Sequence, residues 1–256
     1  MTEHPFKPHA KGNPSAPYVS ALRSDVEIKL GSKKEAFGAA ELDKSVYGEH
    51  AMPLDIIMQA VDPKFGSPGM LIVAMDKNYG TVVGYNLVLR GSDGKCCFAA
   101  STISPEYRGI GGHLQLASMK EAQAQGFKYA ISTAAPGNYP ILILKLNKFD
   151  AFKVVGFEPD AYGEGVARFY VEADLSKTPQ SMSQYDMAAL YEKSKQSKTI
   201  KLGSGTFNPA DEKKLDQEVV DALKAVDWSK QVGEKIVWDP STQPDERVFY
   251  LMLRDI

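Results

Sequence analysis

Three β-prone runs follow one another between residues 70 and 104, and the segments joining them are too short to hold a helix. The runs are Met70–Asp76, Thr81–Arg90 and Cys96–Ser104, with Lys77-Asn78 and Gly91-Ser92-Asp93-Gly94 between them. Such connections join neighbouring strands in the antiparallel sense, so the middle of the chain is expected to be a meander onto which everything else packs. Upstream, Val26-Glu27-Ile28-Lys29-Leu30 alternates with period two and predicts a strand, while Lys33–Val46 and Leu54–Val61 have helical spacing. After Pro105 the period changes. Leu116, Met119 and Ala122 mark one helix face, with Gln115, Ser118 and Gln125 elsewhere and Gly126 as the stop. Lys128–Thr133 predicts a short strand, Asn138-Tyr139-Pro140 the cap and first turn of a helix continuing over Ile141–Lys148, and Val154–Phe157 and Ala167–Leu175 two further strands.

The expected class is α/β, a mixed, mainly antiparallel twisted sheet flanked by helices, with a C-terminal α/β extension. Residues 1–20, rich in proline, are expected to be a tail, 21–176 the core and 177–207 a linker with a weak helix near Tyr185–Lys193. Residues 208–256 then form a helix–strand extension. Asn208-Pro209-Ala210-Asp211 would start its helix, Leu215, Val219, Ala222 and Val226 its buried stripe, and Arg247–Arg254 its strand. Hydrophobic residues at 43% and charged residues at 24% exclude wholesale disorder, and a net charge of -2 gives no reason to expect a nucleic-acid partner. Cys96 and Cys97 are neighbours, which argues against a structural disulfide, and His4, His9, His50 and His113 are too scattered for a structural metal. The densest apolar run, Met70–Met75, is far short of a membrane span and the N-terminus lacks a secretion signal, so the expectation is a cytoplasmic protein without a membrane partner.

The segment that carries chemistry is Ile103-Ser104-Pro105-Glu106-Tyr107-Arg108-Gly109-Ile110-Gly111-Gly112-His113-Leu114, between a predicted strand and a predicted helix. Glycines permit a tight turn, the helix start offers unpaired N–H groups and its dipole, and Arg108 adds a formal positive charge. The combination suits an anion such as a pyrophosphate. Neither a Gly-x-Gly-x-x-Gly dinucleotide fingerprint nor a Gly-Lys-Ser/Thr phosphate loop is present.

Pro105-Glu106-Tyr107-Arg108-Gly109-Ile110-Gly111 resembles the acyl-CoA pyrophosphate loop of the GNAT N-acyltransferase superfamily, and the strand and helix order from Val26 to Leu175 resembles that family's core. Leu42–Gly48, Met52-Pro53 and Arg247–Leu251 also resemble a GNAT subgroup of about this length. The resemblance implies a GNAT-like sheet whose fourth and fifth strands splay to admit acetyl-CoA or another acyl-CoA as co-substrate. A small amine or amino acid would then attack the thioester directly. Carried onto this chain, Ser101, Thr102 and Ile103 would face the pantetheine, and Arg108, Gly109, Ile110, Gly111, Gly112 and His113 the pyrophosphate, with Asn138 as a further cofactor contact. His113 departs from the family, standing where the loop has a small residue. The family's leaving-group Tyr is also missing: its place falls to Phe152 if the helix ends at Gly156-Phe157, or to Lys145 if it ends near Phe149. Tyr139 and Tyr162 are the candidate acids, Glu49 and His50 the candidate bases. These departures motivate a second expectation, a non-catalytic acyl-CoA-binding sensor or interaction module. A homodimer fits either.

Each assignment has a plainer counterpart. His113 can simply cover the loop, Glu49 and His50 can be a solvated pair, and the cysteines, lacking an activating partner, read as small core residues rather than nucleophiles.

Overall fold

The computed structural model describes residues 22–62, 64, 69–91, 93–204 and 215–256. The expected tail and the expected helix start at Asn208-Pro209-Ala210-Asp211 lie outside these residues. In chain order the elements are β1 (Val26–Leu30), α1 (Lys33–Tyr47), α2 (Leu54–Gln59), β2 (Met70–Asp76), β3 (Val82–Arg90), β4 (Lys95–Ile103), α3 (Gly111–Ala124), β5 (Tyr129–Ala134), α4 (Tyr139–Lys148), β6 (Phe152–Glu158) and β7 (Arg168–Asp174). The C-terminal part follows with α5 (Met187–Ser194), β8 (Thr199–Ser204), α6 (Gln217–Lys224), β9 (Gln231–Val237) and β10 (Val248–Asp255).

Among the described residues, ten strands share one sheet in the order β1-β2-β3-β4-β5-β7-β6-β9-β10-β8. The meander forms as expected, β2 to β3 to β4 antiparallel. The β4–β5 pair is parallel because α3 carries the chain back across the sheet before β5 begins. Strand β2 is apolar at nearly every position because both of its faces are covered. Leu71 and Val73 meet Ala36, Ala39 and Ile57 of α1 and α2, while Met70, Ile72 and Ala74 join the core with Leu114 and Met119 of α3. Helix α1 starts at a capping box, in which the Ser32 hydroxyl accepts from the Lys34 amide and Glu35 accepts from the Ser32 amide. Asn138 caps α4 as its sequence position predicts, accepting from the Ile141 amide at 3.3 Å.

Several expectations are corrected. On α3, Gln115 and Ser118 are buried with Leu114, Met119 and Ala122, whereas Leu116 is only half-buried. On α6 the inward stripe uses Leu223, and Ala222 is exposed. The 177–207 segment holds its expected helix as α5 but also strand β8, which was not signalled, and neither was β9. Strand β9 lacks clean alternation, with Gly233 buried beside the buried Val232, whereas β8 alternates over Thr199–Leu202 before Gly203 turns to φ 129°.

The C-terminal strands attach to the core at a narrow seam. Strands β6 and β9 share only the Val154–Gly233 bridge, where a Cβ on Gly233 would stand 2.9 Å from Val154 and from Leu251. Beyond it Asn147 of α4 acts as a one-residue substitute for a neighbouring strand. Its Nδ2 donates to the Ile236 carbonyl at 2.7 Å and its Oδ1 accepts from the Ile236 amide at 2.9 Å. Tyr139 stacks on Phe249 at 4.0 Å between centroids, and Phe249 in turn meets Trp238. Replacing Asn147 with Ala strands two buried backbone groups, so Asn147→Ala is expected to lower unfolding stability by about 2–4 kcal/mol in urea titrations.

Candidate active site

Strands β4 and β5 pair only at Lys95–Tyr129, Cys96–Ala130 and Cys97–Ile131. Each then continues with its other neighbour alone: β4 stays paired to β3 as far as Ile103, and β5 to β7 as far as Ala134. The two facing backbone edges therefore diverge into an open wedge. A bulge accounts for the divergence, since Leu87 pairs with Ala100 and Val88 with Phe98, leaving Ala99 as an extra residue in β4. Bulges bend a strand and sharpen its twist, and here the bend begins just past the last β4–β5 pair.

The loop leaving β4 is anchored from several sides. The Ser104 amide donates to the Val83 carbonyl at 2.9 Å, and the Tyr107 hydroxyl bonds to Asp76. That bond holds the Asp76 carboxyl below the usual carboxylate range and pushes the Tyr107 phenol up to about 12. Arg23, held by Asp25, lies 4.5 Å over the Tyr107 ring and donates to the Glu106 carbonyl at 3.1 Å. Gly109, at φ 103°, then turns the chain into α3 through a region that residues with a Cβ avoid. No side chain caps α3, and its first turn holds no acidic residue. The start of α3 carries the positive end of the helix dipole, with Arg108 exposed beside it. An anion-binding corner is thus built next to the mouth of the wedge.

The other expected site residues distribute unevenly around this corner. Ser101 is exposed, and Ile103 packs against Gly111, where a Cβ would sit 2.9 Å from the Ile103 Cδ1. Thr102 is buried and its hydroxyl bonds to Asp43 on α1, so its side chain turns away from the wedge and only its backbone borders it. Ile110 is buried, and His113 is half-buried. Gly112 also has a packing duty, because a Cβ there would collide with the Met182 sulfur, and Leu144 of α4 reaches the same turn. Tyr139 is buried against Phe249 in the core of the extension, which removes it from the candidate acids. Tyr162 is exposed on the β6–β7 connection. Its hydroxyl lies 3.2 Å from that of Thr133, on the part of β5 that borders the wedge, and the Arg168 guanidinium lies 4.9 Å from its ring centre. Glu49 and His50 are exposed in a 3-10 turn over residues 48–50, whose far side is tied down by the Met52 amide donating to Asp43. Cys96 is buried and Cys97 half-buried; burial pushes the Cys96 thiol up to about 12 and raises that of Cys97, so neither is an activated nucleophile.

Asp43 escaped the sequence as a site residue, and Lys145 entered it only as one occupant of the missing Tyr's place. Asp43 interrupts the Ala36–Ala39 stripe of α1, and Lys145 interrupts the Leu142–Leu146 stripe of α4. A charged residue at a helical position that spacing assigns to the core was the available signal. Helix α4 ends at Lys148, which places the end near Phe149 and puts Lys145, not Phe152, at the position where the resemblance looks for a Tyr. Among the described residues, no group of three or more His, Cys, Asp or Glu converges as a metal site would require. Nor is any helix among them long and apolar enough to cross a membrane.

No protein-family model matches this sequence, and no curated protein does. Solved structures do match. The ribosomal-protein-S18-alanine N-acetyltransferase from Escherichia coli is 10% identical with a TM-score of 0.50, covering 63% of this chain and 99% of its own. The NatC complex bound to Gag peptide and CoA is 13% identical with a TM-score of 0.50, covering 59% of this chain and 98% of the other. At these identities the likeness is one of fold: the chain has the GNAT fold.

Asp43 joins α1, the 48–52 connection and β4 through hydrogen bonds to one buried carboxyl. Asp43→Ala is expected to cost about 2–4 kcal/mol in chemical denaturation, and Asp43→Asn less.

Proposed function

We propose that this chain is an acyl-CoA-dependent N-acyltransferase, with acetyl-CoA as donor and a small amine or amino acid as acceptor. The observation that carries the proposal is the wedge between β4 and β5, which ends at Cys97–Ile131 and opens beside the uncapped start of α3. A sheet interior rarely leaves two backbone edges unpaired, and an extended, amide-bearing arm such as pantetheine satisfies them as a missing strand would. Arg108 and the first-turn amides from Gly111 to His113 would hold the pyrophosphate.

In the reaction the acceptor nitrogen attacks the thioester carbonyl carbon. The C–N bond forms, the C–S bond breaks, and the electron pair of the latter leaves with sulfur. An N–H on the open edge of β4 would stabilise the developing oxyanion, and the rest of the acceleration comes from holding the two reactants in line. The acceptor would approach from the sheet face on which Ile131, Tyr170 and Tyr162 are exposed. Glu49 and His50 are the candidates to take the amine proton, both accessible from solvent.

The second reading, an acyl-CoA-binding module without catalysis, is favoured by the packing of Met182 and Leu144 onto Gly111 and Gly112. Free-thiol release measured with acetyl-CoA over a panel of amines and amino acids separates the two. Turnover supports the enzyme, whereas tight binding with no thiol release on any acceptor supports the module. Arg108→Glu places a negative charge at the anion corner and is expected to weaken acetyl-CoA binding at least about tenfold by calorimetry, with little change in unfolding.

A further inference from the structure

Lys145 is 4% exposed, yet no carboxylate pairs with it among the described residues. Its ammonium donates to the Ser132 hydroxyl on β5 and lies 5.6 Å from the centre of the Phe152 ring on β6. The Cys97 thiol of β4 is near enough for its charge to interact with that of Lys145. A buried ammonium without a counter-charge costs several kcal/mol, and a Leu or Met would fill the same place on the α4 stripe more cheaply. Its position removes the puzzle. Ser132 immediately follows Ile131, and Ile131–Cys97 is the last β4–β5 pair, so Lys145 stands at the apex of the wedge.

We infer that Lys145 is the catalytic residue that receives the departing thiolate: its ammonium transfers a proton to the sulfur released at the apex of the wedge. The inference rests on the acyltransferase reading. The Nζ–H bond breaks as the S–H bond forms, and Lys145 is left as a neutral amine. It regains a proton from solvent, equal in number to the one lost by the acceptor nitrogen, so no further co-reactant is required. Burial supports the assignment by pushing the Lys145 ammonium down to about 8, close to the acidity of an alkyl thiol, where proton transfer between the two is nearly balanced.

The test is a titration of the thiol of bound coenzyme A, followed by thiolate absorbance as a difference against protein loaded with desulfo-coenzyme A. In the wild type the bound thiol should ionise about tenfold more readily than free coenzyme A, because a cation stands beside it. Lys145→Met should abolish that gain and lower kcat with acetyl-CoA about a hundredfold. A wild-type thiol that titrates at or above the free value overturns the inference without recourse to any variant. So does a folded Lys145→Met protein with unchanged thiol ionisation. Should Lys145→Met not fold, Ser132→Ala releases the ammonium from its anchor and is expected to move the titration part of the way back; no movement counts against the inference. Failure of coenzyme A to bind at all, read separately by calorimetry, would remove the acyltransferase reading and this inference together. Binding without a shifted thiol would remove only the inference.

Discussion

The parting of β4 from β5 is the constraint on which the rest of the molecule turns. A parallel pair that closed along its whole length would make an unbroken sheet with no entry from either face. Here one extra residue, Ala99, spends the register of β4 on β3 and leaves its other edge free. Everything nearby then has a reason. The loop at residues 104–110 needs external anchors because the strand feeding it has lost a neighbour, and it receives them from Arg23, Asp76 and Val83. Thr102 needs a tether across the sheet, and Asp43 supplies it.

Much of this was legible from residue order. Short turns forced the meander, Asn138 and Pro140 announced α4, and the glycines after Pro105 marked the bend into α3, because each of these signals acts through local backbone preference. What stayed hidden depends on partners distant in sequence. The bulge at Ala99 lies in a run, Phe98-Ala99-Ala100-Ser101, whose composition does not reveal where an extra residue will sit; it emerges only in register with β3. Tyr139 looked available as a polar ring at a helix start, yet it is buried by Phe249, more than a hundred residues away. Likewise β9 was missed because Gly233 breaks its alternation, and the role of that glycine is to let Val154 and Leu251 approach.

Some buried polar groups hold the fold at every atom, and others lack a protein partner at one atom. Asn147 and Asp43 have backbone or hydroxyl partners at both ends and behave as rivets. Between β3 and α3, Asn86 donates to Ser118 while its Oδ1 has no protein partner, and the Gln115 Nε2 is in the same condition. Such atoms are met by ordered water or by a ligand in well-packed proteins. They lie on the α3 side of the sheet, the side that carries the anion-binding corner.

The seam between β6 and β9 has a bearing on self-association. A sheet made of β1 to β7 alone would present β6 as a free border open to a strand from another molecule. Occupation of that border from within the same chain, through Gly233 and Ile236, withdraws it from such encounters. Among the described residues, the remaining borders are β1, whose exposed side chains include Glu27 and Lys29, and β8, which carries Lys201. Charges of this kind discourage edge-to-edge addition, so two copies of the protein that meet are steered toward contact through helices or sheet faces.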